Sequence, residues 1–462
     1  MNKFTLLPFP LLVLLIALNM VAGAAHGDVK PLQIADRGVG GYLIYPLYVV
    51  NQGHDTLIEV RSNIVPDPQM PGQTALRLRV MDADGAVSVN ANLYLPPNGT
   101  WVAALTRIGG EPHLVMPPDA GQCLLVETGG AITPVESLPL GDDHGWVEIA
   151  EMGLLGSSQA LQNAINNARC DDLAQAWNSG TWAANFNNDM LPPRGVISGS
   201  SSIINVGRGT FYESQALALR NFSNVRQHLR PGNPQPNLST AQAPGPFGLT
   251  TVSRVCVDGN CFEDVWDDPI DAVAAVLFSA QLKGQFSTDP GLNAATEWVV
   301  LDPTRPFYPN LRWGNPQTHL RIWDRAGRAA EDTRPCPLEC PEYTALQSDR
   351  PLVVIDFNQS IDDVGQVRPS TILGIMHPVR FPVVEAPVPA NGQAQFRLDR
   401  TSADLVNPSG RRYFGRPAIG VGFTEFTNQL LTSPDGVQQR ANYGRGSNLR
   451  RAIRITGDPS PL

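Results

Sequence analysis

Apolar and polar residues alternate in short runs along most of the chain. In Ala75-Leu76-Arg77-Leu78-Arg79-Val80, the residues Leu76, Leu78 and Val80 share one face, the period of a half-buried strand. Val87 to Leu95 repeats the pattern after the turn Asp82-Ala83-Asp84-Gly85, and Pro96-Pro97-Asn98-Gly99 turns the chain into Thr100 to Leu105. Tyr42 to Tyr45 and Leu47 to Val50 flank Pro46, which predicts an edge or kinked strand. Thr56 to Arg61 alternates less cleanly. Short strands at this spacing predict an immunoglobulin-like β-sandwich over 28–138.

The pattern breaks over 139–190. Leu154 to Trp177 is rich in Ala, Gln, Asn and Leu, with Ser157 or Ser158 placed as an N-cap, and two short helices are expected there. This segment is expected to be a helical connector, ending at Asn185-Phe186-Asn187-Asn188-Asp189 and Pro192-Pro193 as an easily opened boundary. Strand runs return over 191–462, the expected second β-rich domain, at Ser202 to Val206, Thr250 to Val255, Trp298 to Leu301, Pro351 to Phe357, Gln395 to Leu398 and Ala418 to Phe423. One inserted helix is predicted from Asp268 to Lys283, with Pro269 at its first position. The Pro/Asn/Gly stretch from Arg230 to Phe247 is expected to be a mobile loop. The fold class is thus mainly β: two sandwich domains around a helical connector.

The N-terminal residues have a different character. Lys3 precedes an apolar run from Leu6, and Ala22-Gly23-Ala24 supplies small residues at the positions a signal peptidase reads. A signal peptide over 1–24 is expected, cleaved after Ala24 or after Gly27, because the run falls short of the roughly 20 apolar residues a spanning helix needs. Ala272 to Phe278 is too short to span and reads as a buried helix. An exported chain is expected: extracellular, at the cell surface or periplasmic.

Charge narrows the partners. The 462 residues carry a net charge of −9, which is a poor basis for phosphate neutralisation, so no nucleic-acid partner is expected. Arg440, Arg445, Arg450, Arg451 and Arg454 cluster near the end. They read as a solvated face or as a contact with anionic surface lipid or polysaccharide.

Six cysteines in an exported chain predict disulfides. Cys256 and Cys261 flank an Asp258-Gly259-Asn260 turn and would face each other on a hairpin. Cys336 and Cys340 would close a very short loop, leaving Cys123 with Cys170. A zinc site from Cys256, Cys261, Cys336 and Cys340 is the rival, with loose spacing for that metal.

Catalytic motifs are few. Gly195-Val196-Ile197-Ser198-Gly199 has the wrong spacing for a nucleophile elbow, and neither S-x-x-K nor H-E-x-x-H occurs. Asp142-Asp143-His144 is the tight acid–His group, suited to a divalent metal or an oriented base, or to a polar turn. Glu148 with Glu151, and Glu213, are read as surface carboxylates. Asp258-Gly259-Asn260 and the set Asp356, Asn358, Asp362 and Asp363 offer oxygen ligands, and calcium is the cofactor they would take; otherwise none is expected. Trp101, Trp146, Trp298 and Trp313 are weighed as a sugar-stacking platform against core packing.

Several longer words carry a resemblance: Leu43 to Tyr48, Asn92 to Leu95, Thr100 to Leu105, Gly145 to Gly153, Gly199 to Val206, Thr296 to Val300 and Pro417 to Asn428. In these the chain resembles a family of secreted proteobacterial surface proteins. It departs from that family at Leu301-Asp302-Pro303-Thr304-Arg305, in place of Thr-Phe-Pro-Thr-Lys, and at Ala326-Gly327, in place of an acidic pair. The resemblance implies export and a β-rich architecture, and it transfers no active site. The expected function is structural, adhesive or self-assembling at the cell surface rather than enzymatic. The alternative is a secreted carbohydrate-active hydrolase using paired carboxylates.

Overall fold

Twelve consecutive buried residues, His144–Leu155, form the strand around which the first half of the molecule is built. A strand covered on both faces has no reason to alternate. It lies between Tyr42–Val49 and Thr74–Asp82 in a nine-stranded antiparallel sheet that also contains Val87–Leu95, Cys123–Thr128, Ala131–Pro134, Leu217–Arg220, Gln33–Ile34 and Met190–Leu191. The computed structural model describes residues 30–65, 72–117, 121–245, 248–308, 319–328, 350–360, 368–376, 379–381, 389–398 and 405–456. The signal peptide expected over 1–24 lies outside them. The described chain is mainly β, as its alternation predicts.

A six-stranded sheet faces the nine-stranded one, in the order Ser137–Pro139, Glu111–Val115, Thr100–Ile108, His54–Ser62, Ile197–Asn205, Thr210–Gln215. Leu43, Tyr45, Ile58, Val60, Leu76, Leu78, Trp101, Ala103, Val147 and Ile149 fill the space between them. Strand pairing therefore crosses the expected boundaries at 138 and 190. His144–Leu155, assigned to the connector, is central to the first sandwich, and residues 197–220 complete it. Alternation marks strands but says nothing of which distant strand each one joins.

Pro46 sits where the ladder is irregular. Gly145 pairs with Tyr48 and Val147 with Tyr45, so Pro46 and Leu47 lie opposite Trp146 alone. On the other side, pairing with Leu217–Arg220 reaches only Ile44. The strand is kinked as expected, although it lies inside the sheet.

The connector reduces to two helices packed on one end of that sheet. Helix α1 (Gln159–Asn166) is capped by Ser158, and α2 (Cys170–Asn178) carries Asp171 and Asp172 in its first turn, where they suit the helix dipole. Leu161, Ile165, Leu173, Trp177 and Trp182 pack against Tyr94, Leu125 and Met152. A disulfide joins Cys123 on the sheet to Cys170 on α2. The Asn-rich stretch, expected to open easily, is tied down: Asp189 accepts from the Ser157 and Ser158 N–H groups, and Trp182 Nε1 donates to the Asn188 carbonyl.

The stretch expected to be a mobile loop is also anchored over 230–245. Arg77 Nη2 donates to the Leu229 and Arg230 carbonyls at 3.0 Å each, Asn90 Nδ2 reaches the Asn233 carbonyl, and Leu238 is fully buried. Polar composition hid these anchors, because the donors come from strands more than a hundred residues away.

The second half places a five-stranded sheet against the other face of the nine-stranded one. Its order is Val379–Phe381, Leu352–Ser360, Ala294–Leu301, Ile419–Thr432, Gln438–Asn448. One core cluster unites Tyr42, Ile44 and Trp146 with Val299, Leu301, Val354, Val421 and Phe423. Helix α3 (Pro269–Leu277) joins this core, nearly wholly buried, with Asp271 in its first turn accepting from the Tyr308 hydroxyl. It ends at Leu277, six residues before the expected Lys283. There the alternation of Leu282 and Phe286 with Lys283 and Gln285 takes over as strand Gln281–Ser287. That strand belongs to a four-stranded sheet, His319–Asp324, Asn391–Arg397, Gln281–Ser287, Arg450–Ala452, which closes a core of Leu282, Phe286, Trp298, Ile355, Phe357 and Phe396.

The hairpin Gly248–Val257 and Asn260–Trp266 turns on Asp258 and Gly259, both at positive φ. Cys256 and Cys261 are direct cross-strand partners and are disulfide-bonded. Cys336 and Cys340 lie outside the described residues. Loop-closure entropy makes the two observed bonds unequal, since one spans 47 residues and the other 5. We expect Cys123→Ser with Cys170→Ser to cost about 4 kcal/mol in urea unfolding, and the Cys256/Cys261 pair of serines about 2 kcal/mol. Equal losses would contradict this ordering by loop length.

Candidate functional site

Three kinds of polar group stand out: a turn with two aspartates and a histidine, a set of buried carboxylates, and a groove on the four-stranded sheet.

Asp142, Asp143 and His144 lie where the turn enters the central strand. His144 Nδ1 is 2.8 Å from Asp143 Oδ1 and 3.6 Å from Asp142 Oδ1. The three offer ligand atoms within 4.8 Å of one another. Arg107 Nη2, however, donates to Asp143 Oδ2 at 3.3 Å, while its Nε donates to the Val50 carbonyl. The hydrogen bond from His144 holds the Asp143 carboxyl below its ordinary range, and burial raises that of Asp142. A dication here would compete with a guanidinium already in place. The arrangement works as a polar latch, fastening the turn to strand Thr100–Ile108.

Glu148 and Glu151, read from the sequence as surface carboxylates, are instead buried, each only 1% exposed. Glu148 Oε2 pairs with Arg79 Nη1 at 2.6 Å and accepts from the Tyr42 hydroxyl, and Trp146 Nε1 donates to Oε1. Glu151 accepts three backbone N–H bonds, from Arg194, Gly195 and Val196. Burial alone would push its carboxyl up, and these bonds oppose the rise. Glu213 is exposed.

The five-stranded sheet repeats the device. Glu297 and Asp356 are cross-strand partners, both fully buried. Glu297 accepts from the Ile372 and Leu373 N–H groups and the Ser370 hydroxyl, and Asp356 from the Thr371 N–H and hydroxyl and the Asn358 N–H. Asn358 Oδ1 accepts from the Thr296 N–H. The oxygens proposed for calcium are therefore engaged, Asp356 Oδ2 by Thr371, Asp356 Oδ1 by the Asn358 N–H and Asn358 Oδ1 by the Thr296 N–H; Asp362 and Asp363 lie outside the described residues. Nearby, Glu425 accepts from the Tyr212 hydroxyl and lies 3.4 Å from Arg208 Nε, and Arg208 Nη1 also donates to the Ile372 carbonyl. Asp264 is enclosed by Asn407, Arg411 and Tyr413.

The tryptophans follow the same logic. Trp101, Trp146 and Trp298 are wholly buried in the cores, and Trp313 lies outside the described residues. Trp323, three residues before the departure at Ala326-Gly327, is half-buried and lines an open groove of about 740 Å³. Ile322, Ala394, Phe396 and Phe286 point into the core below. Their alternates face outward in ladder rows: Trp323 beside Gln393 beside Gln285, and Arg321 beside Gln395 beside Lys283 beside Arg450. Arg325 and Arg445 also line the groove or its edge, with Asp324. The missed signal was the strand alternation of Gln281 to Ser287, absorbed into an overlong helix.

The arginine cluster divides. Arg445 and Arg450 are exposed, and Arg454 stacks over Phe414 at 4.4 Å. Arg451 is turned to structure: it donates to the Ser279 hydroxyl and to the Val276 and Phe278 carbonyls, capping the end of α3. Burial lowers its pKa to about 10. For Arg440 only the backbone strand is described.

Burial, and then the charge of Asp356, pushes Glu297 up to about 8 from an ordinary 4.5. Between these values the folded chain keeps a proton that the unfolded chain has released, so stability falls as pH rises through this window and then levels. We expect Glu297→Gln to flatten that fall. A urea midpoint that drops between about pH 5 and about pH 8 equally in both proteins would contradict this.

No protein-family model matches the chain, and no curated protein and no solved structure matches it.

Proposed function

We infer that this chain is an exported, non-catalytic protein of the cell surface or extracellular space, with an adhesive or structural role. The observation that carries this reading is the use made of the interior acids. Glu148, Glu151, Glu297, Asp356 and Glu425 each spend their oxygens on arginines, hydroxyls or backbone N–H groups of the frame. A hydrolase of glycosides needs two carboxyls facing one another across an opening. Acids committed to the frame do not supply that pair.

Export is supported by the two disulfides, which persist in oxidising compartments, and by the apolar N-terminus ending in Ala22-Gly23-Ala24. Among the described residues, no helix is long and apolar enough to cross a membrane. An outer polar groove beside rigid cores suits binding without turnover.

The test joins localisation, binding and turnover. We expect the purified chain to sediment with host cells and to leave a panel of glycans uncleaved. Replacing Asp142→Asn, Asp143→Asn and His144→Gln together should leave cell binding intact, at a stability cost of about 1 kcal/mol for a partly exposed latch. Turnover that the triple variant abolishes, or failure to sediment with cells, would overturn the reading.

A further inference from the structure

We propose that the groove on the four-stranded sheet binds an acidic polysaccharide, a chain of uronic or sulfated sugar units. This rests on the reading of the chain as an adhesive surface protein and names its ligand class.

Like charges set directly across neighbouring strands repel, and sheets ordinarily avoid them. Here Lys283 stands opposite Arg450, and Arg321 lies in the same row beyond Gln395. All three cations are exposed. Of these Lys283 lines the groove itself, where Arg325 and, from the five-stranded sheet, Arg445 join it. The acids close by are Asp324, which accepts from the Arg328 N–H, and Asp289, whose carboxyl is held below its ordinary range first by Asn391 and which also feels Arg325. Cations thus outnumber acids on this face of a chain whose net charge is −9. An anion laid along the row would relieve the repulsion.

The row beside it has the chemistry of sugar recognition. Gln285 and Gln393 are exposed amides, each offering a donor and an acceptor to hydroxyl groups. Trp323, their neighbour in the ladder, presents an aromatic body on which the C–H face of a sugar ring can stack. A cavity of about 740 Å³ falls within the range of ligand sites and is concave. Concavity and amides fit a flexible polymer better than a flat lipid surface, which would ask for apolar side chains to insert. The overall negative charge weighs against a partner as densely charged as nucleic acid, whereas local cations act within a Debye length of about 10 Å.

The test is calorimetric titration of the mature chain with polygalacturonate, heparin and dextran, and with phosphatidylglycerol vesicles as the lipid arm. We expect both anionic polymers to bind and dextran to bind at least about tenfold more weakly, with the difference closing at high salt. Trp323→Ala and Gln393→Ala should each lower affinity for the anionic polymers about tenfold. Lys283→Gln with Arg445→Gln should abolish the preference over dextran while leaving the melting temperature in place. Equal binding of dextran, binding to vesicles alone, or variants that bind like the native chain would overturn the proposal. If the chain sediments with cells yet binds neither anionic polymer, this assignment fails and the adhesive reading stands. If it does neither, both fail.

Discussion

A carboxyl group taken out of water between two sheets loses solvation worth several kcal/mol, and whether it is charged or, like Glu297 with its pKa pushed up to about 8, keeps its proton, it must find polar partners there. That constraint organises this molecule. The nine- and five-stranded sheets turn toward each other faces that carry Arg79, Glu148, Glu297, Asp356 and Glu425 among their apolar residues. Each acid then draws in a distant stretch of chain: 370–373 through Glu297 and Asp356, and Arg208 with Tyr212 through Glu425. At the edge of the same region Glu151 gathers 194–196. Apolar burial supplies the bulk of the stability, and the acids select one arrangement of loops from many that would bury similar area.

How much of this is legible in the sequence follows from the range of each signal. Alternation in Ala75 to Val80 and the caps at Ser158 and Asp268 are local, and they placed those strands and helices. The Asp258-Gly259 turn likewise brought Cys256 opposite Cys261. What failed was long-range. His144–Leu155 is buried on both faces, so it lacks the alternation that would have marked it as the centre of a sheet. Glu148 and Glu151 read as surface residues because their partners, Arg79 and the 194–196 backbone, lie 69 and up to 45 residues away. Gln285 was hidden where a helix pattern gave way to a strand, and its row with Gln393 and Trp323 joins strands far apart in the sequence.

The division of labour between interior and exterior bears on function. Inside, polar groups are spent on hydrogen bonds to the frame, and even Arg451, from the cationic C-terminal cluster, caps α3. Outside, the four-stranded sheet keeps cations and amides facing solvent above a core of Leu282, Phe286 and Phe396. A packed layer beneath an open polar groove holds its side chains in register. Together with the tethers at Cys123–Cys170 and Cys256–Cys261, it supports the proposed role as an exported, binding protein.

The claim that a buried acid depends on the donors gathered round it is open to a double-mutant cycle on Arg79 and Glu148, cross-strand neighbours in the nine-stranded sheet that meet at 2.6 Å with almost no exposure. Urea unfolding of Arg79→Met, Glu148→Gln and the two combined measures their coupling directly. The account predicts that either single change costs about 3–5 kcal/mol, because it strands a buried partner, and that the double change costs clearly less than the sum. Single changes of only a few tenths of a kcal/mol that simply add would contradict it.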